Sequence, residues 1–275
     1  MQLVQIDKEK CTKDGMCLGE CSPAIIERSR ADGYPEVATG NEEACLLCGH
    51  CVAVCPEGAI THRGIPIEDS PPIIRDLTIG EQQAVQFLRS RRSIRLYEER
   101  AVEKEKILRL IEVARYAPSA GNAQSVEWLV LEDRSEIRKI AGLTVEWIRG
   151  FLKKDPGLGI ARPYLPRAVT AWESGRDPVL RGAPVVIVAS APAEAANGLV
   201  DLTLALSYLD LLAPTIGLGT CWAGLLEGAL LSSPSLREIV GIPEGHPHHY
   251  PMMLGYPKAK YYRLPARKPP RITFR

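Results

Sequence analysis

Between residues 102 and 116 the apolar side chains Ile107, Leu110, Ile111 and Ala114 recur at three- and four-residue intervals. That spacing lines one face of a helix, and Pro118 stops it. A shorter helix is expected over 84–91. Strands are expected over 126–131 and 184–190, the second so evenly apolar that both its faces should be buried. Between them, 135–180 reads as helical pieces punctuated by Pro156, Pro163 and Pro166. This insertion carries Trp147, Phe151, Tyr164 and Trp172, either a lid over a site or plain packing. A long apolar helix over 199–214 is interrupted by Asp201 and Asp210. A turn and short strand follow at 217–224, then a strand at 251–256 and a basic tail. Strands mixed with long helices indicate an α+β sandwich.

Residues 63–82 are rich in proline and lack a helical period, so they read as an extended linker. The expected organisation is a small domain over 1–65, a linker over 66–82 and a larger domain over 83–275. The composition, 45% hydrophobic and 24% charged, is that of an ordinary globular protein. A net charge of +1 gives no reason to expect nucleic acid or an anionic membrane as partner. The uncharged stretch 211–226 is broken by Pro214 and glycines and is too short to cross a bilayer. A cytoplasmic location is expected.

Seven of the eight cysteines lie within the first 55 residues. Four form Cys45-Leu-Leu-Cys48-Gly-His-Cys51-Val-Ala-Val-Cys55-Pro56, the spacing whose thiolates hold iron–sulfur clusters. Cys11, Cys17 and Cys21 repeat the run with Asp14 in place of the second cysteine. A carboxylate is a harder iron ligand than a thiolate. That cluster is therefore either a 4Fe-4S cluster with Asp14 on one iron or a 3Fe-4S cluster with the corner empty. Because the last cysteine of each run serves the other cluster, the expected sets are Cys11, Cys17, Cys55 with Asp14, and Cys45, Cys48, Cys51 with Cys21. Zinc would want separated pairs, and a disulfide framework would want a secretory leader, which residues 1–7 do not resemble. Residues 3–62 resemble the bacterial two-cluster ferredoxins, which implies a βαββαβ arrangement and an oxygen-poor, anaerobic setting.

In the larger domain, Arg91-Arg92-Ser93-Ile94-Arg95 offers guanidinium and hydroxyl donors suited to a phosphate. The loop Pro118-Ser119-Ala120-Gly121-Asn122-Ala123-Gln124 offers amides suited to the edge of a heterocycle, or simply makes a turn. Arg267 and Lys268 form a second basic cluster. These segments, with Arg-Gly-Ala-Pro at 181–184, Gly-Leu-Gly-Thr-Cys-Trp at 217–222 and Gly-Tyr-Pro at 255–257, resemble in order the nitroreductase family, and with the cysteine segment its iron–sulfur members.

The resemblance implies an α/β/α sandwich that holds FMN at a homodimer interface. Arg91, Arg92 and Ser93 would meet the phosphate, and Arg95 the N1/O2 edge of the ring. Ser119, Asn122 and Gln124, in the loop with Pro118 and Ala120, would line the ring and ribityl chain. Trp222, Ala223 and Gly224 would lie near N5, and Arg267 and Lys268 would close on the phosphate. Ala120 stands where many relatives have serine, and Ala223-Gly224 where many have a glutamate.

The reading is a flavo-iron–sulfur oxidoreductase that passes electrons from the clusters through FMN to a small organic acceptor: a nitroaromatic, quinone or activated alkene. Reduced ferredoxin is the expected donor, with NAD(P)H the alternative. The other reading is a relay or redox sensor without a substrate of its own. Cys221 reads as a packing residue and the run His246-Pro-His248-His249 as a surface loop.

Overall fold

The computed structural model describes residues 2–155 and 157–275. Pro156, one of the three expected breaks, lies outside the described residues. The chain divides into two compact units, one running through Ile79 and including Gly121–Ala123, the other comprising Gly80–Ala120 and Gln124–Arg275.

The first unit runs β1 (Val4–Ile6), α1 (Met16–Gly19), β2 (Ile26–Arg28), β3 (Pro35–Val37), α2 (His50–Val54) and β4 (Ile60–His62). β1 pairs with β4 and β2 with β3, both antiparallel, giving the βαββαβ order. Leu3, Ile25, Ile26, Val52, Ile60 and Cys17 are buried together at its centre. The stretch expected to be an extended linker instead contains two 3-10 turns, Ile67–Asp69 and Arg75–Leu77.

The second unit opens with α3 (Glu81–Ser90), which starts before the expected 84. Gln83 Oε1 reaches back to accept the Gly80 N–H at 3.0 Å, satisfying an amide that a helix start leaves free. There follow α4 (Lys104–Ala114), β5 (Glu127–Leu131), α5 (Arg134–Lys154), α6 (Gly157–Ala161), α7 (Tyr164–Glu173) and β6 (Val185–Ala191). The chain closes with α8 (Gly198–Leu212), β7 (Gly219–Trp222), α9 (Gly224–Ser232), α10 (Pro234–Val240) and β8 (His248–Gly255). The sheet order is β5-β6-β8-β7, antiparallel throughout.

β6 decides the layering. Val186 and Val188 face a cluster with Ile137 and Ile140 of α5, Leu226 and Leu230 of α9 and Leu236 of α10. Val185 and Ile187 face the opposite cluster, with Ile107 and Leu110 of α4 and Leu202, Leu206 and Leu209 of α8. Helices therefore cover both faces of one sheet, a three-layer sandwich.

The helical pieces expected over 135–180 are α5, a helix of 21 residues begun by Asp133, whose side chain accepts the Glu136 N–H at 2.9 Å, then the shorter α6 and α7. Pro163 and Pro166 sit at the start of α7, where no helical amide is lost. Trp147 and Trp172 pack against the buried cluster, so these two are packing residues and not a lid. α9 and α10 were not foreseen, because 224–232 is apolar almost all round and carries no period.

Half of the histidine run departs from the expected surface loop: His246 and Pro247 lie in the loop before β8, but His248 and His249 do not. His248 and His249 open β8, and His249, 1% exposed, holds Glu227 Oε2 at 3.0 Å through Nδ1. Finally, one helical stretch among the described residues, Gly198–Ile216, is long and apolar enough to cross a membrane by length and composition. Its Leu202, Leu206 and Leu209 are buried against the sheet, and its Asp201 and Asp210 are buried too.

Candidate functional site

The cysteines stand on two copies of one backbone motif. Lys13 and Leu47, Gly15 and Gly49, Ala24 and Gly58 all have positive φ, position for position. In each copy a left-handed glycine turns the chain into a short helix, α1 or α2, that carries the third cysteine, Cys17 or Cys51. Charge groups the thiols further. Burial pushes the Cys51 thiol up to about 11, helped by Cys48, Cys21 and Cys45. Burial also raises Cys17, helped by Asp14, Cys55 and Cys11.

Each buried thiol thus feels the other three members of one expected set, with the last cysteine of each run crossing to the other group. A thiol held protonated so strongly becomes a thiolate at neutral pH when a metal replaces the proton. Among the described residues no three His, Cys, Asp or Glu side chains close on a single ion. A four-iron cluster makes no such demand, since its four thiolates ligate different irons. The donor set fits iron–sulfur clusters.

Asp14 is engaged by its own neighbours. Its Oδ1 accepts the Met16 N–H at 2.9 Å and its Oδ2 the Thr12 hydroxyl at 3.3 Å, so the carboxylate starts α1. A further neighbour of the cysteines had no place in the sequence reading. His62 Nε2 lies 3.4 Å from Cys45 Sγ. Its only signal was a histidine just beyond the Cys-Pro run.

In the second unit, Arg91 to Arg95 leaves the end of α3 and runs beside β7, where the Ile94 N–H donates to Thr220 O at 2.8 Å. A side chain at Gly219 would put its Cβ 2.3 Å from Ile94 Cγ1, so only glycine allows this approach. Beside the segment lies a cavity of about 440 Å³, lined by Arg91, Arg92, Thr220, Pro257, Lys260 and Tyr261 among others. That volume is in the range of small-molecule sites. Three cationic side chains in the lining, Arg91, Arg92 and Lys260, suit an anionic group such as a phosphate.

Buried Asp210 ties Arg91 to Thr220 and Trp222. It accepts from Thr220 Oγ1 and from Trp222 Nε1 at 3.3 Å, and Arg91 Nη1 lies 3.5 Å away. A lone carboxylate in an apolar helix was the sequence signal for it. Cys221 is buried in the core cluster on one face of the sheet, and burial pushes its thiol up, with Arg95 and Ser93 drawing it down. The end of β7 continues into Trp222, edge-on to Tyr250 with centroids 5.0 Å apart, then Ala223 and Gly224.

The loop after α4 forms a separate place. Ser119 and Gln124 line a cavity of about 290 Å³ with Trp128 and Asp201. Pro118 precedes them, the Ala120 N–H donates to Asp201 Oδ1 at 3.1 Å, and the Gln124 N–H donates to Ser119 Oγ at 3.0 Å. Asn122 belongs to the first unit, where its Nδ2 donates to Leu46 O at 3.1 Å and Leu47 O at 2.9 Å. Within one chain, then, Arg91 and Arg92 line one cavity and Ser119 and Gln124 another. Arg267 and Lys268 are exposed and line neither; Lys260 and Tyr261 are the tail residues at the first.

A relative in Archaeoglobus fulgidus, provisionally named an NADH dehydrogenase/NAD(P)H nitroreductase, is 28% identical over 177 residues, covering 64% of this chain and 87% of that protein. The FMN reductase [NAD(P)H] of Bacillus subtilis is 28% identical over 194 residues, covering 66% and 70%. Among solved structures, a nitroreductase with bound FMN from Bacteroides fragilis superposes with a TM-score of 0.57 at 21% identity, covering 71% of this chain and 99% of that one. A second, from Desulfitobacterium hafniense, superposes with a TM-score of 0.55 at 20% identity, covering 72% and 99%. These likenesses establish the fold. A model of the 4Fe-4S binding domain matches residues 38–61. The Nitroreductase family model matches residues 88–256, most of the chain, and the protein belongs to the nitroreductase family.

Proposed function

We propose that this protein is a flavo-iron–sulfur oxidoreductase that moves electrons from two iron–sulfur clusters to FMN and on to a small organic acceptor: a nitroaromatic, quinone or activated alkene. The observation that carries the reading is the twice-repeated cysteine motif, in which a left-handed glycine and a short helix present Cys17 and then Cys51, within a chain of the nitroreductase family. Bound FMN supplies the exchange between one- and two-electron chemistry that the clusters alone lack.

The chain's own residues would divide the work. Cys45, Cys48, Cys51 and Cys21 would hold a 4Fe-4S cluster. Cys11, Cys17 and Cys55, with Asp14, would hold the second, either 4Fe-4S or 3Fe-4S. Arg91, Arg92, Ser93 and Lys260 would bind the flavin phosphate, with Asp210 holding the Arg91 guanidinium in place. Arg95 would sit at the N1/O2 edge, where a cation stabilises negative charge. Trp222, Ala223 and Gly224 would exclude water from one side of the ring. Pro118, Ser119, Ala120, Asn122 and Gln124 would serve from the second copy of a homodimer, which accounts for their separation from Arg91 within one chain.

The proposed donor is reduced ferredoxin in the cytoplasm of an anaerobe. NAD(P)H has its own support, since the relatives from A. fulgidus and B. subtilis are both named for it. Anaerobic purification with iron, sulfide and flavin quantitation tests the reading. Iron, sulfide and FMN together are expected; zinc without flavin would overturn both halves. Reduction of the purified protein by ferredoxin and by NAD(P)H, compared side by side, separates the donors.

A further inference from the structure

His62 ends β4, paired with Val4 of β1, and is 2% exposed. Both ring nitrogens are engaged. The Gly64 N–H reaches Nδ1 at 3.0 Å. An amide can only donate, so Nδ1 is the acceptor and the proton of the neutral ring sits on Nε2. That nitrogen lies 3.4 Å from Cys45 Sγ and donates to it. The turn permits this because Gly64 has no side chain: an added Cβ would stand 3.2 Å from Leu47 Cδ2 and 3.6 Å from His62 Cε1.

The contact is not part of the repeat. Cys45 Sγ and Cys55 Sγ each receive one backbone N–H, from Leu47 at 3.4 Å and from Ala59 at 3.3 Å. Only Cys45 adds an imidazole among the described residues. In the first run Arg28 ends β2 as His62 ends β4, but its guanidinium goes to Lys13 O and Gly33 O, carbonyls and not a sulfur.

We infer that His62 is a positioning residue that raises the reduction potential of the centre at Cys45 and so distinguishes two otherwise repeated centres. The inference rests on the proposed reading that Cys45 ligates an iron–sulfur cluster. An N–H directed at a ligand sulfur draws off electron density and stabilises the more negative, reduced state. One electron is gained from the donor, and no bond at His62 forms or breaks.

The test is an anaerobic redox titration of the full-length protein followed by electron paramagnetic resonance, with iron counted in each sample. His62→Leu removes the donor, whereas His62→Gln keeps an N–H near the Nε2 position. In His62→Leu one cluster signal should move to lower potential, changing its reduced-to-oxidised ratio at a fixed potential about fivefold (~40 mV at 59 mV per decade). His62→Gln should restore most of this, and the second cluster should not move.

Unchanged potentials in an iron-replete His62→Leu protein would overturn the inference, as would a His62→Gln shift equal to that of His62→Leu. A wild-type protein without iron would instead overturn the cluster reading, and this inference with it. If His62→Leu loses its iron, nitrogen NMR of the wild-type histidine decides: a proton on Nε2 supports the inference, and one on Nδ1 refutes it.

Discussion

Tyr97, 8% exposed, donates its hydroxyl to Ile94 O at 2.9 Å and so pins the arginine segment from behind. Burial holds its phenol well above the ordinary value of 10.0, with Cys221 adding to the shift. An acid raised in this way stays protonated in the native chain while the unfolded chain ionises. Its stabilisation is therefore complete below about pH 10 and is lost as the pH rises further. Tyr97→Phe should cost ~1 kcal/mol near neutral pH and should flatten the fall in stability above about pH 10. Denaturant unfolding at neutral and alkaline pH reads both effects; equally steep losses in the two proteins would refute the assignment. Asp14 is the other decisive single residue, standing where the second run has Cys48 and starting α1 through Met16. Asp14→Cys should give two four-iron clusters that survive oxidation better. An unchanged iron count and paramagnetic spectrum would show that this position does not touch a cluster.

Elements meet where side chains are missing. Gly219 in β7 lets the 91–95 segment lie against the sheet, and Gly255 in β8 leaves room for Pro184, 2.6 Å from where its Cβ would stand. Gly219→Ala should cost about 1–3 kcal/mol through overpacking, and it should weaken flavin binding more than a core substitution of equal cost far from the cavity. Calorimetry together with flavin titration separates the two effects. The elements that local pattern revealed were α4, with apolar residues on one face, and β6, apolar on both. Those it missed had other causes. α9 is buried nearly all round, and β8 begins in histidines whose burial depends on Glu227, a distant partner. α5 runs unbroken over 134–154, upstream of Pro163 and Pro166, which fall at the start of α7.

At the scale of the molecule the two units have unequal means of holding together. The strands of the first are three residues each, and its small core includes Cys17 among the aliphatic side chains. The second builds two aliphatic layers on a four-stranded sheet. A core that small leaves folding dependent on the metal it binds. Stripping iron with a chelator should abolish a lower thermal transition and leave an upper one unmoved in calorimetry; one transition shifting as a whole would refute it. By itself the sequence determined the redox character, because ligand spacing along a short run is a local property. It likewise determined the sandwich class, because helical period and apolar strands are written in neighbouring residues. Where Asp210 and His62 direct their polar atoms, and which arginines line a cavity, were decided only by the tertiary structure. Those are distances between residues far apart in the chain, and they exist only once the backbone has closed on itself.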